Sequence, residues 1–99
     1  MRITAVVLAL VATQAYADMA FKAEGIEMRL KSQKCSHPKV LALLKDEWVP
    51  RFRQGELIYQ GRPLQMCWTV SQPGQIVILD EDGDAAEVPM GVFKEVPTV

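Results

Sequence analysis

The feature that most constrains this fold is a pair of cysteines, Cys35 and Cys67, in a chain that has no others. Two cysteines allow one intramolecular bond. An even pair in a small exported domain reads as a structural disulfide. Such a bond pins the polar segment around Cys35 to whichever element carries Cys67. Redox chemistry would want a C-x-x-C spacing or an electropositive helix start beside the thiol, and the partner cysteine lies too far along the chain for the first.

The compartment is read from the start of the chain. Met1-Arg2 supplies a positive charge, Ile3–Ala12 is apolar or small apart from Thr4, and Ala15-Tyr16-Ala17 has small residues at the places of a cleavage site. This is the pattern of a cleavable secretory signal over 1–17. Its apolar run is about half the roughly twenty residues that a spanning helix needs. No membrane span is expected after cleavage. The working domain is therefore 18–99, a single unit small enough for one disulfide to matter.

Alternation and turn residues organise the rest. Ile26, Met28 and Leu30 alternate with charged residues, which predicts a strand over 25–31. Ser36-His37-Pro38 reads as a helix start. Val40, Leu41, Leu44 and Trp48 fall at helical spacing, so a helix is expected over about 38–45. Pro50 should break or kink it, with a second helical piece reaching Arg53 and holding Trp48 and Phe52 four apart. The second half predicts strands over 56–60, 64–70, 75–79 and 87–89, separated by turns at Gly61, Pro73-Gly74 and Asp82-Gly83. The last element, 92–96, is of uncertain type. Together these predict an α+β domain: an N-terminal strand and a short helix, kinked at Pro50, packed on an antiparallel sheet of three to five strands. A Cys35–Cys67 bond would place the helix start on the Cys67 face. Leu64, Met66, Trp68 and Val70 would then face the other way and need a cover of their own.

Candidate sites are few. Asp80, Asp82 and Asp84 are spaced two apart around a glycine turn, a pattern that suits calcium. The EF-hand pattern fails, because its sixth position would be Ala85 and its twelfth Gly91. His37 is the only histidine and has no second ligand or free thiol to work with. No serine sits in a nucleophile context, so an enzyme is not expected and a small hydrolase is only a further alternative. No cofactor is expected, calcium being the one candidate. The net charge is −1, with no clustered basic surface for nucleic acid. Trp48, Arg51, Arg53 and Trp68 are of the types enriched at protein interfaces.

Tyr59-Gln60-Gly61-Arg62, Cys67-Trp68, Asp80-Glu81-Asp82-Gly83-Asp84, and Pro89 followed by Phe93 form a further pattern. In it the second half of the chain resembles small exported proteins of proteobacteria and their phages. The resemblance implies a periplasmic protein and brings no activity and no site residues. Size, export and the cysteine pair also fit bacterial lysozyme inhibitors, although no diagnostic inhibitor motif is present. The expectation is a periplasmic or secreted binding module whose partner is another protein or a second copy of itself, and which could act as an inhibitor of an envelope or secreted enzyme. The alternative is a calcium-dependent module built on the acidic loop.

Overall fold

The computed structural model describes residues 18–96. The signal segment expected over 1–17 lies outside them. Seven strands form one antiparallel sheet: β1 Met19–Ala23, β2 Ile26–Lys34, β3 Arg53–Tyr59, β4 Arg62–Gln72, β5 Gln75–Asp80, β6 Ala85–Pro89 and β7 Lys94–Glu95. Their order is β6-β5-β4-β3-β2-β1-β7. Helix is reduced to one turn, α1 Pro38–Leu41, and to short 3-10 turns at Val49–Arg51 and Met90–Val92.

The α+β expectation is thus overturned. The protein is nearly all sheet, curled into a half-barrel, with almost no helix. Residues 35–52 have to return to where they began, because Lys34 and Arg53 are paired across β2 and β3. A straight helix over 38–53 would run about 24 Å and carry the chain away from that pairing. The segment instead turns once in α1, bends, and returns through the 3-10 turn at Pro50. Val40, Leu41, Leu44 and Phe52 still reach one apolar spot, against Cys35, Cys67 and Leu79. The expected helical spacing therefore served a folded-back loop.

The curl follows from connectivity. β6 and β7 follow each other in sequence yet lie at opposite ends of the strand order. In a flat sheet those edges would be about 29 Å apart, while the link from Pro89 to Lys94 reaches at most about 17 Å. The sheet must roll so that its two edges approach at that end. Two irregularities assist. β2 carries extra residues between Leu30 and Lys34, and β4 carries one between Val70 and Gln72. Bulges of this kind bend a strand and raise its twist.

Rolling divides the side chains into two clusters. Leu30, Met66, Trp68, Ile76, Ile78 and Phe93 are buried on the inner face, with Met19, Phe21, Met28, Leu57, Val88 and Met90 packed against them. Phe93 closes one end of the half-barrel, its ring centroid 5.8 Å from that of Phe21. The outer face is covered over β4 and β5 by the loop 35–52. The Cys35–Cys67 disulfide, with its Cα atoms 5.8 Å apart, fastens that loop to β4. The curled sheet itself covers Met66 and Trp68 of the expected stripe, while Leu64 is half-buried and Val70 stays 52% exposed.

The strand ends are set by turns. Tyr59 pairs with Arg62, leaving Gln60 and Gly61 as a two-residue loop. Both have positive φ, 51° and 81°, which is the primed turn whose twist matches a hairpin. Only glycine takes the second of these conformations without steric cost.

Candidate functional site

The loop 35–52 displays two large exposed apolar side chains, Leu43 and Trp48. Cys35 is anchored twice: by the disulfide, and by its N–H, which donates to Phe52 O at 3.0 Å. Ser36 N–H donates to Gln54 Oε1 at 2.7 Å, and the His37 Nε2–H donates to Gly55 O at 2.7 Å. That bond fixes the proton on Nε2, because a carbonyl only accepts. Lys39 N–H donates to Gln65 Oε1 at 3.1 Å. With its base so held, the loop turns Val40 and Phe52 inward and Leu43 and Trp48 outward. Leu43 is 50% exposed and Trp48 42%. The Arg51 guanidinium lies over the Trp48 ring, 5.4 Å from its centroid, a cation–π contact that orders both side chains.

The other two residues expected at an interface have structural partners. The Trp68 indole is 8% exposed, and its N–H is shared between Lys31 O and Gln54 O, each at 3.0 Å. Arg53 Nη1 donates to Ser32 O at 2.8 Å. Lys31 and Ser32 lie in the irregular stretch of β2 where strand pairing lapses. The indole and the guanidinium thus satisfy carbonyls that the irregularity leaves without a strand partner.

The acidic loop joins β5 to β6. The carboxylates of Asp80, Asp82 and Asp84 come within 4.8 Å of one another. Asp80 Oδ1 accepts the N–H groups of Asp82 at 2.9 Å and Asp84 at 3.1 Å, and Asp82 pairs with Arg62 at 3.4 Å. These bonds give the spacing of the aspartates a role in shaping the turn. Glu81 turns to the outer face. Its Oε1 accepts the Gln65 N–H at 2.6 Å, and Oε2 lies 3.4 Å from Lys39 Nζ. The Gln65 N–H holds the Glu81 carboxyl below the ordinary carboxylate range. Partial burial opposes this, and the charges of Lys39 and Arg62 add to the lowering.

Two clefts accompany these groups. A groove of about 480 Å³ runs beside the loop base, lined by His37, Lys39, Glu56, Pro63, Gln65 and Glu81 among others. Its polar side chains are engaged within the protein: His37 with Gly55, Gln65 with Lys39, Glu81 with Lys39 and Glu56 with Lys31 at 3.2 Å. The second is a trough of about 180 Å³ at the open end of the half-barrel, between β2–β3 and β5–β6. Register places Ile26 opposite Tyr59 and Met28 opposite Leu57, Ile78 opposite Ala86 and Asp80 opposite Met66. All of these side chains therefore share the inner face. The trough was missed from sequence, although the alternation Ile76, Ile78, Asp80 in β5 already put an acid on an apolar face.

No family profile, no curated protein and no solved structure matches the chain. Among the described residues no helix is long and apolar enough to cross a membrane. The disulfide is compatible with an oxidising compartment.

Proposed function

We propose that the protein is an exported binding module, periplasmic or secreted, that grips another protein through the loop 35–52. The observation that supports this reading most is Trp48, a large ring 42% exposed and stacked under Arg51. Tryptophan and arginine dominate the energetic centres of protein interfaces. A loop held by a disulfide and by backbone bonds at its base loses little entropy on docking. Such a loop suits a partner with a preformed cleft, and an envelope or secreted enzyme inhibited by its insertion is the form of partnership that fits best.

The test is crosslinked capture from the native envelope with the tagged protein and with its Trp48→Ala variant, followed by affinity measurement on what is recovered. The expected result is a protein recovered near one-to-one and bound about thirtyfold more weakly by the variant, as for an interface centre. Equal affinity of the two forms, or recovery of the bait alone, would overturn it.

A further inference from the structure

We infer that the trough at the open end of the half-barrel is a binding site for a small amphipathic cation, an ammonium carried on an apolar body. The trough has three parts. Its walls are apolar: Ile26, Met28, Leu57, Ile78, Ala86 and Val88. At about 180 Å³ it is near the size at which an apolar cavity takes a benzene-sized body. One end carries Asp80 and Asp84, and Tyr59 stands at the rim, 46% exposed.

Asp80 points to the ligand's charge. It is the one buried acidic residue among those described, 9% exposed, and it sits on the inner face opposite Met66. Its Oδ1 is committed to the turn through the N–H groups of Asp82 and Asp84. Its Oδ2 has no donor, and neither Asp80 nor Asp84 is paired with a cation, among the described residues. A carboxylate on so buried a residue, with one oxygen lacking a protein donor and lining the trough, is a natural acceptor for a donor brought by a ligand. An ammonium entering along the apolar wall would supply both the donor and the counter-charge, and Tyr59 lines the same trough. A neutral apolar ligand would leave Oδ2 as it is. A bare cation would leave the apolar walls uncovered.

The test is titration of the disulfide-bonded protein, followed by amide NMR, with benzylammonium, its neutral counterpart benzyl alcohol, and methylammonium. The expected result is saturable shifts at Ile78, Ala85 and Ala86 with benzylammonium, and binding about tenfold weaker or worse for each of the other two, as the loss of a charged hydrogen bond or of the apolar body implies. Asp80→Asn retains an oxygen for the turn, removes the charge and should weaken benzylammonium about tenfold. Asp84→Asn, at an exposed position, should weaken it less and leaves a readout if the first variant melts early. Benzylammonium that produces no shifts at the trough overturns the inference. So does benzyl alcohol binding as tightly as the amine, or an affinity unchanged by either substitution.

Discussion

At the residue scale the half-barrel turns on a few inner-face contacts. Gly55 on β3 faces Met66 on β4. A Cβ at Gly55 would lie 2.5 Å from Met66 Sδ and 3.2 Å from Arg29 O. Met66 is wholly buried, and the Arg29 carbonyl is backbone that cannot swing aside as a side chain does. Gly55→Ala should therefore destabilise the fold by about 1–3 kcal/mol, the range for overpacking a filled core. Urea denaturation of the two forms reads this directly, and a variant as stable as the wild type would mean that Met66 repacks freely. Trp68 illustrates how much of a residue's role is legible in sequence. Its place in an alternating stripe was readable, and so was the opposite orientation of Cys67. Its indole bonds to Lys31 and Gln54 were not, because they depend on an irregularity in β2 that leaves no compositional mark. Trp48 posed the reverse difficulty. Four residues from Phe52, it looked like half of a helical pair, yet Phe52 is buried and Trp48 exposed.

Elements were legible where turn chemistry marks them. Gly61 and the Pro73-Gly74 pair delimit β4, whose own alternation marks it as a strand, and the same turns bound β3 and β5. The two-residue β7 has no pattern to read and exists because the sheet curls back to offer β1 as a partner. The helix was over-read because the spacing of Val40, Leu41 and Leu44 suits a single turn followed by a folded-back loop as well as the two turns expected over 38–45. What holds that turn against the sheet is a set of polar ties from Lys39 to Gln65 and Glu81, and one of them titrates. Because the Gln65 N–H holds the folded Glu81 carboxyl below its ordinary range, its ionisation favours the folded state. That contribution is complete above the unfolded pKa and is lost as pH falls through the folded one. Glu81→Gln keeps an oxygen for the Gln65 N–H and removes the charge. The stability gap between wild type and Glu81→Gln should be constant near neutrality and narrow on acidification through and below the usual carboxylate range. Denaturation midpoints across a pH series measure it, and a gap independent of pH would contradict the assignment.

On the scale of the whole molecule, two surfaces point in different directions from one curled sheet. The inner face is closed at one end by Phe93 and open at the other, where Asp80 sits. The outer face carries the stapled loop. Neither the curl nor the trough follows from any one segment; both need the pairing of β7 with β1 and the short link after β6. The disulfide was legible at once, and its consequence is global, because it fixes the loop to the middle of the sheet. By loop-closure entropy, the bond between residues 32 apart should contribute on the order of 3–4 kcal/mol. Reduction should lower the melting temperature by several degrees at least. An unchanged melt after confirmed reduction would show that the sheet holds the loop without it.

The two tryptophans divide the labour: Trp68 is built into the half-barrel, and Trp48 stands exposed on the loop proposed to meet a partner. Acrylamide quenching of tryptophan fluorescence, in the wild type and in Trp48→Phe, separates the two. Two components are expected in the wild type, one readily quenched and emitting to the red, the other shielded and emitting to the blue. In Trp48→Phe only the shielded component should remain, with the melting temperature nearly unchanged. A readily quenched tryptophan persisting in that variant would place Trp68 in contact with solvent and contradict the fold. A wild type with both rings shielded would contradict the displayed loop.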